Sequence, residues 1–403
     1  MNTDNQPTFD HFGIAPALLG MLNKLGFKTP TPIQVQSIAP GIEGKDIIGI
    51  AQTGTGKTLA FGIPLIQMAL KDGAGLVVLP TRELALQVYE TIEQLGGPLR
   101  IRAAMLIGGE PIGRQISALR RAPHIVIGTP GRIIDHLEKK TLMLSSVTML
   151  VLDEADRMLD MGFAPQLKRI LETVPQKRQT MLFSATMPDD IVRIARGYMQ
   201  LPVRIEVAPQ GTAPEKVTHE VFFVHKNDKP KLLEKLIAEY KGSILVFMRT
   251  KHGTKRITDI IRAQGHTVAE IHSNRSLIQR REALEGFKRG KYRILFATDI
   301  AARGIDVQGI ELVVNYDLPQ APEDYVHRIG RTGRAGMKGH AVSFAMPDQE
   351  QDVKRIERLI RGILPRTPLP PDFQAVKLFA SSAPHTMRRS FSPRKFGYGR
   401  SRR

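Results

Sequence analysis

The sequence predicts an α/β protein: two parallel-sheet domains in tandem, helices covering the sheets, and a basic tail behind them. Three observations lead there. Short apolar runs rich in Val and Ile alternate with amphipathic stretches through both halves of the chain, as expected of strands buried on both faces between helices. The chain has 403 residues, more than the roughly 250–300 at which a single hydrophobic core stops growing. Midway, Ala208-Pro-Gln-Gly-Thr-Ala-Pro-Glu-Lys216 loses apolar periodicity and collects Pro and Gly, which reads as a linker.

In order, the strand candidates of the first half are Asp46-Ile-Ile-Gly-Ile-Ala, Leu76-Val-Val-Leu, Ala103-Ala-Met-Leu-Ile, Ile125-Val-Ile, Val147-Thr-Met-Leu-Val-Leu and Thr180-Met-Leu-Phe. Arg82–Gln94 and Phe163–Thr173 carry helical periodicity between them. The second half offers Ser243-Ile-Leu-Val-Phe-Met, Thr267-Val-Ala-Glu-Ile, Arg293-Ile-Leu-Phe-Ala, Leu312-Val-Val-Asn and Ala341-Val-Ser-Phe, with helices expected at Lys229–Tyr240 and Gly253–Gln264. The resulting division is an N-terminal segment 1–36, a first domain 37–207, a linker 208–216, a second domain 217–364 and a tail 365–403. Pro365-Arg-Thr-Pro-Leu-Pro-Pro cannot continue a helix, and the last residues, Arg388–Arg403, crowd Arg and Lys among Ser, Gly, Phe and Tyr, a composition expected to be disordered in isolation.

Composition narrows the function. There is no cysteine, which excludes disulfides, thiolate metal sites and a Cys nucleophile and fits a cytoplasmic protein. No run approaches the ~18 apolar residues needed to span a bilayer, and Met1-Asn-Thr-Asp-Asn-Gln lacks the basic and apolar regions of a signal peptide. The net charge is +19 and favours a polyanionic partner, because each neutralised phosphate releases counterions. The charge is densest after Pro365, where nine Lys/Arg face one acid.

Two motifs carry chemistry. Ala51-Gln52-Thr53-Gly54-Thr55-Gly56-Lys57-Thr58 lies between a strand and a helix. Its glycines let backbone N–H groups turn toward an anion, Lys57 would reach β- and γ-phosphates, and the Thr58 hydroxyl would bind Mg²⁺. Ala51 stands where the general phosphate loop has Gly. Val147-Thr-Met-Leu-Val-Leu runs into Asp153-Glu154-Ala155-Asp156; there Asp153 would hold the metal and Glu154 would orient or deprotonate the attacking water. His327-Arg-Ile-Gly-Arg331-Thr-Gly-Arg334 sets three arginines in a Gly-rich segment of the second half. They suit either the γ-phosphate or a nucleic-acid backbone.

Together these segments resemble the DEAD-box ATP-dependent RNA helicases. Asp153-Glu-Ala-Asp156 spells the family name, and other family motifs stand in order: Gly26-Phe-Lys-Thr-Pro-Thr-Pro-Ile-Gln34, Pro80-Thr-Arg-Glu-Leu-Ala85, Gly108-Gly109, Thr129-Pro-Gly-Arg132, Ser184-Ala-Thr186, Val246-Phe-Met-Arg-Thr250 and Ala297-Thr-Asp-Ile-Ala-Ala-Arg-Gly-Ile-Asp306. The likeness covers residues 7–364. His272-Ser-Asn-Arg and the compact core look like the bacterial RhlE-type group. The resemblance implies two RecA-like phosphate-loop domains, ATP and Mg²⁺ as cofactors, and local, RNA-stimulated unwinding.

It also implies roles. Residues 1–36 would read adenine, with Phe9 stacking on the base, Phe27 beside it and Gln34 bonding its edge. Gly304 and Asp306 would meet ATP from the second domain, and Arg331 and Arg334 the γ-phosphate. Ser184, Ala185, Thr186, Asp156 and His327 would couple hydrolysis to strand separation. RNA would contact Pro80, Thr81, Arg82, Gly108, Gly109, Thr129, Pro130, Gly131 and Arg132 in the first domain and Arg249, Thr250, Thr298, Asp299 and Arg303 in the second. Such glycines, hydroxyls and arginines suit backbone contact and low sequence specificity. One departure stands out: where the family has Gln-x-x-Arg, this chain has Leu277-Ile-Gln-Arg280. The implied partners are structured RNAs and proteins of ribosome assembly or RNA degradation, around a monomeric core. Alternatives with the same motifs are an ATP-gated RNA clamp and a DNA translocase.

Overall fold

The computed structural model describes residues 7–51, 54–207, 217–299, 307, 309–333 and 338–373. The first domain holds β1 (Ile47–Ile50), β2 (Ala74–Val78), β3 (Ala103–Leu106), β4 (Ile125–Gly128), β5 (Val147–Leu152), β6 (Gln179–Ser184) and β7 (Val203–Glu206) in one sheet of order β3-β4-β2-β5-β6-β1-β7. The second holds β8 (Val217–Phe223), β9 (Ser243–Met248), β10 (Val268–Ile271), β11 (Ile294–Thr298), β12 (Ile310–Asn315) and β13 (Gly339–Ala345), ordered β10-β11-β9-β12-β13-β8. Every strand pair is parallel, with registers such as Ile48↔Leu182 and Leu245↔Leu295.

The central strands are buried on both faces, and each sheet separates two apolar clusters. Phe61, Ile63, Val77 and Phe183 lie in one cluster of the first domain; Leu76, Leu150, Leu152 and Leu182 lie in the other. Leu245, Val313 and Tyr325 face Val246, Phe296 and Phe344 in the same way across the second sheet. All eleven expected strands are present, together with two edge strands, β7 and β8, that the apolar runs do not reveal. β7 shows why: Val203-Arg-Ile-Glu buries little besides Ile205, so it lacks the continuous apolar signature of an interior strand.

The segment after Leu364, expected to begin the tail, first docks on the second domain. Val221 N donates to Pro365 O at 2.9 Å and Thr367 N donates to Val221 O at 3.0 Å, so these residues cover the open edge of β8. Leu369 and Phe373 pack on the apolar cluster, and the Lys231 ammonium sits 4.7 Å above the Phe373 ring. Residues 374–403 and the linker 208–216 lie outside the described residues. No helix among the described residues is long and apolar enough to cross a membrane.

Candidate nucleotide site and nucleic-acid cleft

The phosphate loop joins β1 to α3 (Lys57–Ala69). Gly54 and Gly56 have φ of 86° and 92°, a conformation that only glycine adopts freely. A Cβ at Gly56 would also strike Gln34 Nε2, and Thr31 Oγ1 at 2.8 Å. Lys57 is buried, its ammonium 3.7 Å from Asp153 Oδ1, and it makes no hydrogen bond with the described residues. A buried ammonium lacking hydrogen bonds calls for an anionic acceptor, which a β/γ-phosphate supplies.

Asp153 ends β5. Burial raises its acid to about 6, against the opposing pull of Lys57 and with a further push from Glu154. Protons therefore compete with a divalent cation at this carboxylate below that pH. Glu154 caps α7 (Ala155–Asp160) with φ of 51°, a left-handed conformation costly for a side chain with a Cβ and typical of functional sites. Its carboxylate lies 3.5 Å from Arg157 Nε, both side chains about 3% exposed. Arg157 escaped the sequence reading; only the helical turn after Glu154 brings it back to that carboxylate.

Asp156 turns the other way. Its Oδ2 accepts from Ala185 N (3.1 Å), Thr186 N (2.8 Å) and Thr186 Oγ1 (2.8 Å), while Asp156 N donates to Ser184 Oγ at 3.2 Å. The Ser184-Ala-Thr186 turn is thus bonded directly to the acidic motif. Arg157 also lines a narrow crevice with His327 and Arg331 of the second domain, which places these residues near the acidic motif's helix. Arg331 is buried and its Nε donates to His327 O at 3.2 Å. Gln52, Thr53, Arg303, Gly304, Asp306 and Arg334 lie outside the described residues.

Three of the expected site residues are engaged within the protein. Phe9 is 3% exposed, in the first-domain core, with its ring edge-on to Phe12. Phe27, 37% exposed, is the aromatic with free surface. Gln34 uses its amide within the protein, Oε1 accepting from Thr31 N and Nε2 donating to Gly56 O, both at 2.9 Å, so in this conformation it ties its own motif to the phosphate loop. Asp299 is bound to Arg328, with Nη2 and Oδ2 2.7 Å apart. Arg328 also donates to Asn315 Oδ1 and Asp317 O, so Asp299 is held in place by an arginine that is itself fixed within the second domain.

A cleft of about 770 Å³ runs between the domains and is lined by ten of the fourteen expected RNA contacts: Pro80, Thr81, Arg82, Gly108, Thr129, Gly131 and Arg132 from the first domain and Arg249, Thr250 and Thr298 from the second. Gly109 lies beside the Arg82 guanidinium with φ of 85°, and Pro130 is buried at the first position of α6 (Pro130–Glu138). Helix starts surround the cleft. Thr81 caps α4 (Arg82–Gly96) by accepting from Leu84 N at 3.3 Å, and Thr250 caps α11 (Lys251–Ala263) by accepting from Gly253 N at 3.0 Å. With Thr129 before α6, three positive helix ends face one channel, a setting for a phosphate backbone. Burial lowers the Arg82 pKa, and the charges of Arg280 and Arg132 lower it further; an anion between them would relieve that repulsion.

Sequence reasoning missed Met161, Phe163, Lys251 and Arg275, which also line the cleft. It noted Arg280 without a partner. Arg280 Nη1 lies 2.6 Å from Glu83 Oε1 across the domains, and Arg281 Nη2 lies 3.3 Å from Glu90 Oε1. Leu277, at the departure from the family pattern, packs half-buried against the first domain's apolar cluster. This seam thus holds an apolar contact beside the Arg280–Glu83 ion pair. Leu277→Gln is expected to loosen closure by the loss of that burial, about 1 kcal/mol, and to raise the RNA concentration for half-maximal ATPase about fivefold; a titration of ATPase against RNA checks it.

Comparison with known proteins follows the same division. The DEAD/DEAH box helicase model matches residues 31–194 and the helicase conserved C-terminal domain model matches residues 228–336. A Bacillus cereus protein named DEAD-box ATP-dependent RNA helicase CshA is 43% identical over 367 residues, 90% of this chain and 70% of that protein. Among solved structures, S. cerevisiae Dbp5 bound to RNA and ADP BeF3 superposes with a TM-score of 0.82 at 29% identity, covering 90% of this chain and 95% of that one. Mss116p bound to ssRNA and AMP-PNP gives 0.84 at 27% identity, covering 92% and 81%. Both domains superpose together, so the pair of RecA-like domains is arranged here as in those complexes. The chain belongs to the DEAD-box family of ATP-dependent RNA helicases.

Proposed function

We propose that this protein hydrolyses ATP to separate short RNA duplexes or remodel RNA–protein complexes locally. The observation that carries the reading is the cleft that both domains line with backbone-binding groups, beside a phosphate loop whose buried Lys57 makes no hydrogen bond with the described residues. In this account Lys57 holds the β- and γ-phosphates, Glu154 takes the proton of the water that attacks the γ-phosphorus as the bond to ADP breaks, and Arg331 and Arg334 face the developing charge from the second domain. The donor set fits a hard divalent cation: Thr58 and Asp153 would hold Mg²⁺, which supplies charge neutralisation at the phosphates. Phe27 would cover the adenine, with Gln34 free to read its edge only after releasing Gly56 or Thr31. Ser184–Thr186, through Asp156, would carry the nucleotide state to the RNA side.

The contacts select backbone over base edges, so structured RNAs of varied sequence are the substrates, with 2′-hydroxyls separating RNA from DNA. We place the protein in the cytoplasm, acting on RNAs of ribosome assembly or degradation, with units at 37–207 and 217–364 and the second extended by the docked strand to 373. An RhlE-type placement is supported by His272-Ser-Asn-Arg275 and the compact core; the Bacillus relative carries the CshA name instead.

Displacement of a strand from a short RNA duplex, followed beside RNA-stimulated ATPase, tests the proposal. ATP-dependent release that falls steeply with duplex length is expected. RNA-stimulated ATPase without release would assign an ATP-gated clamp.

A further inference from the structure

A buried polar relay joins the two RNA-facing edges of the first domain. His136 on α6 is fully buried and Gln115 on α5 (Ile112–Arg120) is 2% exposed. Gln115 Nε2 donates to Ile107 O at 2.8 Å, immediately before Gly108 and Gly109. Its Oε1 lies 3.1 Å from His136 Nε2, and His136 Nδ1 lies 2.8 Å from Thr141 Oγ1. The direction at Nε2 is determined by the first bond. The Gln115 amide nitrogen faces Ile107 O, so its oxygen faces His136 Nε2 and can only accept, which puts a proton on Nε2; Thr141 Oγ1 lies between His136 Nδ1 and His136 O, the latter at 3.2 Å. Burial lowers the His136 pKa, and Arg132 lowers it further, in keeping with a neutral ring.

Position makes the relay more than a satisfied core pair. Gln115 is the one buried residue of α5, so this exposed helix has a single polar anchor. That anchor grips the carbonyl at the root of the Gly108–Gly109 loop. Its other end holds the helix whose first turn presents Thr129, Gly131 and Arg132 to the cleft. Arg132 Nη1 approaches Glu110 O at 3.4 Å from the cleft side, a weaker link between the same two edges. Apolar residues would fill the space without the desolvation cost of two polar groups, but they would not hold loop and helix in one register.

We propose that His136 and Gln115 are positioning residues that hold the Gly108–Gly109 loop and the Thr129–Arg132 turn as one RNA-binding edge. The inference rests on the RNA reading of the cleft. Its test is RNA-stimulated ATPase of the full chain, resolving half-saturation by RNA from the KM for ATP and from turnover at saturating RNA. His136→Leu leaves Gln115 Oε1 unpaired and is expected to raise RNA half-saturation about tenfold, with the KM for ATP and saturated turnover within about twofold. His136→Gln, whose amide N–H reaches the same place, is expected to restore wild-type half-saturation. Gln115→Met should repeat the His136→Leu defect and add little in the double variant. Should His136→Leu not fold, as judged by binding of an ATP analogue without RNA, Gln115→Met against His136→Gln gives the same comparison.

Unchanged RNA half-saturation in both His136→Leu and Gln115→Met would overturn the proposal. So would a His136→Gln variant as defective as His136→Leu, or a KM for ATP that rises in parallel. Failure of the RNA reading itself shows differently: the unmodified protein would then have ATPase that RNA does not stimulate.

Discussion

Glu154→Gln will bind ATP and RNA and turn over at least about 100-fold more slowly than the unmodified protein, since a positioned general base typically contributes 10²–10⁴-fold. The substitution keeps the size of the side chain and removes only its charge and proton affinity. Lys57, proposed above to hold the phosphates, contacts Asp153 rather than Glu154, so nucleotide binding is expected to persist. Arg157, 3.5 Å from the Glu154 carboxylate, loses an ion pair but can still donate to an amide oxygen. The left-handed backbone at residue 154 suits Gln no worse than Glu. Single-turnover ATP hydrolysis at saturating RNA, beside equilibrium binding of a fluorescent ATP analogue, checks this. Turnover within about threefold of the unmodified protein would remove Glu154 from the role of base.

Asp156→Ala is expected to be the most destabilising single change at the site. It deletes a buried acceptor that Ala185 N, Thr186 N and Thr186 Oγ1 all share, and a buried donor left unpaired costs roughly 1–3 kcal/mol. Partial rescue by water reduces the sum, so we expect a loss of about 3–5 kcal/mol from the first domain. For a domain of this size that lowers Tm by about 10 °C. Strand displacement should fall further than ATPase, because the lost bonds link the acidic motif to the Ser184–Thr186 turn and not to the phosphate loop. Asp156→Asn retains an acceptor at the same place and should recover much of the stability. Thermal melts of the two variants beside paired ATPase and displacement rates check the expectation. A Tm shift below about 2 °C in Asp156→Ala would mean that the three donors find other partners.

What could be read from the sequence follows how locally each feature is encoded. The interior strands are legible because burial on both faces leaves continuous apolar runs such as Val147–Leu152. β7 and β8 are edge strands with one partner each, and their mixed patterns carry no such signal. The phosphate loop and the acidic motif are contiguous, so their chemistry shows in a few letters. Arg157 is legible only once the helix after Glu154 is known, and Phe9 and Phe27 only once one is seen buried and the other exposed. Gln34 sits three residues after Thr31, a capping-box spacing, and its Oε1 bond to Thr31 N belongs to that box. That local role could have been read beside the adenine role. The cleft is the least local feature, assembled from β-strand ends and helix starts in both domains. Its residues were reached through the order of family motifs, and residues outside those motifs, such as Phe163 and Arg275, were missed. Leu277 shows the converse: the departure was visible in the letters, but its packing against the first domain needed the fold.

The central claim is that ATP and RNA are bound between two domains that close on both ligands together. The absence of cysteine permits a direct measurement. Lys71→Cys and Arg289→Cys, at exposed positions on the two domains, would carry a donor and acceptor dye in the Glu154→Gln background. The account predicts that energy transfer shifts to one closed value when ATP and RNA are both present and stays at the open value with either alone. A closed value reached with ATP and no RNA, or no change with both, would contradict it.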